Sequence, residues 1–386
     1  MPRAYLCLAL LLIHAHATNT TTTCYTDLDC NMAGQCLDGL CTCEKGWTGD
    51  TCERIHFGAA RRCGNGGLCL NHTQAAATSN STYKSTFTSS WGGETIQDEQ
   101  GRWHLYAAAF DKDSALKEWL NQSRVVHGVS NHSAHGPYVL HDVALGPRSS
   151  AHWDGVTQHN PAMVRDPSSG TYLLYYMGST RHDDDSCPST VQTACNQRIG
   201  LATSIDPNGP FTRVDTPILQ PGPVPSWDDQ FTTNPTPHVF PNGSVLLLYK
   251  ARSKENYNVM STGVAFAEHW SGPYERMSAR PIQVPGTCED AGMYYSTFSK
   301  LFRIVLHCGC NYQTIWSKNG MDWHKTAPEQ PWCHVKYQDG TEEMLLRRER
   351  PKWMFNNKNE LVGLMTGVFP STSHDGDSFT LFQSIV

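Results

Sequence analysis

Nine residues able to move protons, hydrogen-bond a polar ligand or stack on a ring fall in five short clusters: Trp91 with Glu94, His159-Asn160, Asn234, Glu289-Asp290 and Glu349-Arg350. Carboxyl groups supply acid and base, amides and guanidinium hydrogen-bond hydroxyls, and an indole stacks on a ring face. Cleaving a glycosidic bond takes one carboxylic acid to protonate the leaving oxygen and one carboxylate to activate water or attack carbon. Arg350 beside Glu349 would keep that carboxyl ionised, which favours Glu349 as base and leaves Glu289 as acid, with Asp290 and Glu94 in reserve. Trp91, His159, Asn160, Asn234 and Arg350 are the expected substrate-binding residues. Plainer roles exist for each. Glu349-Arg350-Pro351 could be a buried ion pair between neighbouring elements, Asn160-Pro161 and Asn234-Pro235 strand-entry turns, and Trp91 core.

Clusters so far apart in the chain meet only if a repeated element carries them to one place. The chain has such a repeat. An aromatic-rich strand reads Gly101-Arg102-Trp103-His104-Leu105-Tyr106, then Gly170-Thr171-Tyr172-Leu173-Leu174-Tyr175, then Asn242-Gly243-Ser244-Val245-Leu246-Leu247-Leu248-Tyr249. Its answering turn is Gly136-Pro137-Tyr138, Gly209-Pro210-Phe211 and Gly272-Pro273-Tyr274. Weaker copies follow at Phe302-Arg303-Ile304-Val305-Leu306-His307 and Glu360-Leu361-Val362-Gly363-Leu364-Met365, making five units. Units of this size cannot each bury an apolar face alone, so they must share cores, and radially repeated small sheets make a propeller. The expected fold is all-β: a five-bladed β-propeller over 89–386. Each innermost strand begins at one mouth of the central channel, so the five clusters should converge there. Residues 115–120 could form a short helical turn.

Ahead of the repeats, six cysteines fall between 24 and 52, ending Cys41-x-Cys43-x5-Gly49-x2-Cys52 with Trp47 after Gly46. This resembles an EGF-like domain. The resemblance implies pairing Cys24 to Cys36, Cys30 to Cys41 and Cys43 to Cys52. So small a module depends on its bridges. The absence of paired histidines argues against a zinc cluster. The residues before Cys24 are threonines, so calcium binding is not indicated, and no cofactor or metal is expected. The acidic loop Arg181-His182-Asp183-Asp184-Asp185-Ser186 reads as a solvated loop closed by Cys187 and Cys195, with calcium the alternative. Residues 53–88 read as a linker with a Cys63/Cys69 loop.

The propeller units, with Asn160-Pro161-Ala162-Met163-Val164-Arg165-Asp166 opening the second and Ile199-Gly200-Leu201-Ala202-Thr203-Ser204 closing on Gly209-Pro210-Phe211, look like blades of the arabinanase, levansucrase and invertase superfamily. They are nearest to glycoside hydrolase family 43. The resemblance implies a glycosidase acting on a pentose-, fructose- or galactose-type residue. It also exposes a departure: counting from Asp98 and Asp166, the family's aspartate base falls on Gly92, its aspartate modulator on Asn160, and its glutamate acid near Asn234. Asn cannot ionise. A non-catalytic carbohydrate-binding propeller, or an adhesion or matrix protein using the EGF-like module as a protein-binding surface, are the alternatives.

Compartment is also legible. Arg3, an apolar run over 5–13 and Ala15-His16-Ala17 read as a signal peptide over 1–17, followed by a Thr-rich spacer over 18–23. Without Cys7 the 15 cysteines become an even 14. Sequons start at Asn19, Asn71, Asn80, Asn121, Asn131 and Asn242, as in a secreted glycoprotein. A net charge of −6 with no basic run excludes nucleic acid as partner, and no stretch is long enough to span a membrane.

Overall fold

The computed structural model describes residues 23–61, 87, 89–110, 116–180, 197–256, 259–284, 286, 288–370 and 378–386. The expected signal peptide, the Cys63/Cys69 loop, the 181–186 acidic loop with Cys187 and Cys195, and the sequons at Asn19, Asn71 and Asn80 lie outside these residues.

The architecture is a five-bladed β-propeller with a disulfide-rich EGF-like module in front. Each blade is an antiparallel sheet, and in blades one to four the strands run outward in chain order. Blade one comprises Ser89–Gln97, Trp103–Phe110, Ser123–Ser130 and Val139–Leu145. The innermost strands of blades two to five are Thr157–Arg165, Phe231–Val239, Glu289–Ser296 and Arg347–Phe355.

Second strands carry near-continuous apolar runs, Tyr172 to Met177 and Val245 to Tyr249, because both of their faces are covered. Side chains alternate across a strand. Leu173 and Tyr175 therefore pack toward blade three with Leu247 and Tyr249, while Leu174 and Tyr176 pack toward blade one with Val125 and Leu145. The same alternation sends Leu246 and Leu248 into a core with Ile304 and Leu306 of blade four. The Gly-Pro-aromatic turns lead into the outermost strands. Gly136 needs its φ of +77°, and a Cβ there would lie 2.9 Å from the Tyr138 ring. Tyr138 in turn donates its hydroxyl to Ala134 O at 2.7 Å.

One feature differs from expectation. Part of the expected 53–88 linker belongs to the ring: Phe57–Arg61 is the outer strand of blade five, pairing with Phe379–Ile385. A ring closed by hydrogen bonds between strands from its two chain ends has no free edge at the seam. Short helical turns at Leu116–Glu118 and Trp119–Gln122 occupy the place anticipated for them.

The EGF-like pairing is Cys24–Cys36, Cys30–Cys41 and Cys43–Cys52. Two further bridges, Cys288–Cys308 and Cys310–Cys333, whose pairing spacing alone does not fix, hold blade four. The module does not hang free. Trp47 and Ile55 join one buried cluster with Tyr294, Tyr312, Trp353 and Leu361 of blades four and five.

Candidate active site at the channel mouth

Every innermost strand carries a β-bulge at the equivalent place: between Trp91 and Glu94, His159 and Ala162, Thr233 and Thr236, Glu289 and Gly292, and Glu349 and Lys352. One residue in each bulge takes the left-handed backbone: Gly92, Asn160, Asn234, Asp290 and Arg350, with φ from +49° to +58°. Bulges re-aim side chains, and five in register turn five positions toward one axis. At Gly92 the absent side chain is spatially matched, since a Cβ would stand 3.1 Å from Arg350 Cβ.

The other four link into a chain. Asn160 Nδ2 donates to Asn234 Oδ1 at 2.6 Å, and Asn234 Nδ2 donates to Asp290 Oδ1. Lys250 Nζ and Arg350 Nη1 approach that same oxygen at 3.4 and 3.7 Å. Burial works against the Asp290 carboxylate, but Lys250 and Arg350 outweigh it and hold its pKa well below the usual range. Burial likewise opposes the Lys250 ammonium, while Asp290 and Glu289 more than offset it and push its pKa up. Asn160 Oδ1 and Arg350 Nε are buried without a protein partner, which leaves one acceptor and one donor free to meet a polar ligand.

These residues line a cavity of about 350 Å³ together with Trp91, His159, Thr233, Lys250, Glu349 and the aromatic rim of Trp119, Phe231 and Phe369. That volume suits one sugar ring. Trp91 is only 3% exposed and packs against Phe369 at 5.7 Å, with the Arg347 guanidinium 5.6 Å from its ring. It serves as wall and core at once. His159 takes a 2.7 Å hydrogen bond with Ser123 Oγ through Nδ1, and burial lowers its pKa to about 3, so it is neutral. Glu349 receives Arg347 Nε at 2.8 Å and Nη2 at 2.6 Å, both on Oε1.

Two of the anticipated carboxylates stand elsewhere. Glu289 lies beside the cavity wall rather than on it, paired with Lys250 and, at 3.5 Å, with His307. Burial disfavours its charged form, yet Lys250 and His307 prevail and its pKa is lowered, which is the reverse of what an acid needs. Glu94 faces the opposite end of the channel, in a cavity of about 1290 Å³, with Lys352 Nζ 3.6 Å away. Burial raises its pKa to about 7 against the pull of Lys352 and Arg350. A carboxyl with a raised folded pKa contributes stability that is full below about pH 4.5 and lost as pH rises through 7. Relative to Glu94→Gln, the native chain is therefore expected to lose on the order of 3 kcal/mol between pH 4.5 and 7. Urea midpoints at stepped pH measure this, and parallel curves for the two proteins would refute it.

Sequence reasoning missed Lys250, His307 and Arg347. Lys250 and His307 stand directly across from Thr233 and Glu289 on the second strands of blades three and four. A signal existed: each is the first charged or titratable residue after an apolar run, Leu246-Leu247-Leu248-Tyr249 and Ile304-Val305-Leu306. Asp290, His307 and Glu349 could offer a metal three ligand atoms within 4.8 Å of one another. Lys250 and Arg350 already balance the carboxylates there.

Fold and mouth together define an EGF-like module on a five-bladed propeller whose polar ring surrounds a sugar-sized cavity. Residues 26–54 match the Teneurin-like EGF domain family. The chain is similar in fold to Zg3597, a family 117 glycoside hydrolase of the marine bacterium Zobellia galactanivorans, with 14% identity, a TM-score of 0.60, and 85% of this chain and 90% of that one covered. It is also similar to the α-L-arabinofuranosidase PaAbf62A of Podospora anserina, with 10% identity, a TM-score of 0.57, and 85% and 96% covered. A third likeness is to the family 43 β-xylosidase/α-arabinofuranosidase CoXyl43 from a compost metagenome, with 12% identity, a TM-score of 0.50, and 82% and 94% covered. At such identities the likeness concerns the fold. No curated protein sequence matches the chain.

Proposed function

We propose that the protein is a secreted glycoside hydrolase that cleaves a terminal pentose-, fructose- or galactose-type residue at the channel mouth. The observation that carries this reading is the pair Asp290 and Glu349, whose carboxylate oxygens lie within 4.8 Å on the wall of one sugar-sized cavity. Asp290, ionised and buried among Lys250, Arg350 and Asn234, is the carboxylate that attacks the anomeric carbon. Glu349, expected from the sequence as base, is reassigned as acid: at the rim its ion pair is with the exposed, solvent-screened Arg347 rather than with a buried cation, and it gives its proton to the departing oxygen and then takes one from water. Carboxylate oxygens within 4.8 Å of each other leave less than the roughly 6.5–9.5 Å that inversion takes to admit a water, which favours retention. Asn160, Asn234 and Arg350 hold hydroxyls, and Trp119 and Phe231 flank the ring. Glu289 is a positioning residue acting through Lys250. Five disulfides among the described residues fit an extracellular protein, and exposed Asn131 and Asn242 are placed to carry glycans, with Asn121 half-buried.

Release of 4-nitrophenol from a panel of arabinofuranosides, xylosides, galactosides and fructosides tests the reading. Glu349→Gln is expected to lower kcat by about 10²- to 10⁴-fold while KM shifts little. Asn at the positions of blades two and three favours a second reading, carbohydrate binding without hydrolysis. Sugar binding that survives in Glu349→Gln, with no turnover of any glycoside by the native chain, would select it.

A further inference from the structure

A second constellation lies in the outer half of blade one. His127, at 0% exposure, stands on the third strand opposite Asp142 of the outermost strand. The pairing slips between His127 and Gly128, so His141 is the extra residue of a bulge and turns to the same side as Asp142. Nδ1 of His127 is 3.5 Å from Asp142 Oδ1, and Nδ1 of His141 is 3.3 Å from Asp142 Oδ2. One ligand atom from each of the three residues falls within 4.8 Å of the others.

The hydrogen bonds behind His127 decide which face of its ring carries the proton. Arg102 Nε, at 2.7 Å, and the Arg102 amide, at 2.8 Å, bind Asp98, whose Oδ2 lies 3.1 Å from His104 Nε2. A proton must separate that oxygen from that nitrogen, so His104 is protonated on Nε2. Arg102 already balances the Asp98 charge, and a wholly buried imidazolium at His104 would have no counter-charge of its own. His104 is then neutral, and its Nδ1 accepts. The donor is His127 Nε2, 2.9 Å away. The Nδ1 of His127 is consequently a bare lone pair. It and Asp142 Oδ1 are both buried without a hydrogen-bond partner, two acceptors facing each other. That arrangement wants a cation between them. A carboxylate bonded through one imidazole to the far nitrogen of a second fixes the tautomer and raises basicity in the way that supports a metal-bound histidine.

We propose that His127, His141 and Asp142 form a binding site for a divalent zinc-class ion that clips the outermost strand of blade one to the strand inside it. Two imidazoles and one carboxylate are zinc ligands, and tetrahedral bonds of about 2.0–2.1 Å put ligand atoms roughly 3.3 Å apart, so the three, within 4.8 Å of one another and with a different Asp142 oxygen toward each histidine, need only a small closure to ligate one ion. His141 and Asp142 are 47% and 32% exposed, so the ion has a path of entry and the remaining position is open to water. The site is separate from the channel mouth and independent of the hydrolase reading.

The full chain, stripped with EDTA, is titrated with Zn²⁺ by calorimetry and with Co²⁺ by visible absorption. One equivalent is expected to bind with a raised melting temperature, and His141→Ala and Asp142→Ala, both at accessible positions, should each weaken binding by at least about 10-fold. Circular dichroism confirms that the variants fold. Absence of saturable binding by the native chain would overturn the proposal. Equal binding by His141→Ala would do so too, since it would put the ion elsewhere, such as at Asp290, His307 and Glu349.

Discussion

Asp290→Asn is expected to abolish glycoside turnover and, independently, to destabilise the propeller by about 3–5 kcal/mol, because removing one partner from a buried ionic network strands the others. The carboxylate is 4% exposed and neutralises two buried cations, Lys250 and Arg350. After substitution Lys250 keeps Glu289, whereas Arg350 keeps no carboxylate within ion-pair distance, which places the cost toward the lower end. The pH dependence distinguishes this from a packing defect. Because the folded pKa of Asp290 lies below its unfolded value, its contribution is present above about pH 4 and withdrawn as pH falls. The variant should lack that acid limb in urea titrations carried from about pH 6 down to about pH 2. A variant as stable and as acid-sensitive as the native chain would show that Asp290 is not the hub of the mouth. Catalysis and stability separate through Glu349→Gln, whose residue sits at the rim and whose loss strands only the exposed Arg347.

Trp47→Ala carries the second large effect, expected at about 3–5 kcal/mol for truncating a buried tryptophan. Trp47 is 4% exposed. Its indole N–H donates to Tyr294 OH at 3.4 Å, and the Arg303 guanidinium lies 5.0 Å from its ring. Arg303 is itself 1% exposed, donates to Met32 O, and lies 3.5 Å from Glu44. Ile55 adds a hydrogen bond from its amide to Tyr312 OH at 3.0 Å. The three bridges keep the EGF-like module folded whatever its surroundings, so the loss falls on its docking to blades four and five. Calorimetry should then resolve a separate low-temperature transition. Phe57–Arg61 follows the module directly and closes blade five, so limited proteolysis between 53 and 61 should accelerate. An unchanged single transition would mean that the docking contributes nothing to closure.

How much of this was legible in the chain follows from which interactions are local. The five-unit repeat, the Gly-Pro-aromatic turns and the Cys-x-Cys module could be read because period-2 apolar runs, turn glycines and cysteine spacing are properties of neighbouring residues. The four polar positions Asn160, Asn234, Asp290 and Arg350 were also legible, since each begins the same part of its unit. The alignment of Gly92 with them needed the bulge register. The roles of Glu289 and Glu94 were not legible. Both lie one residue or two from an axial position, and on a strand one step reverses the direction of a side chain. The bulge decides which neighbour faces the cavity, and no residue type announces it.

The amino-acid sequence by itself determined the all-β repeat, the blade count, the disulfide module and the set of residues from which a mouth could be built, because each is written in spacing along the chain. Only the tertiary structure decided which carboxylates share a cavity, that Lys250 and His307 stand behind them, that Phe57–Arg61 closes the ring, and that His127 turns a bare nitrogen toward Asp142. These depend on registers and distances between strands remote in sequence, and those are set by how neighbouring blades bury their apolar faces against one another.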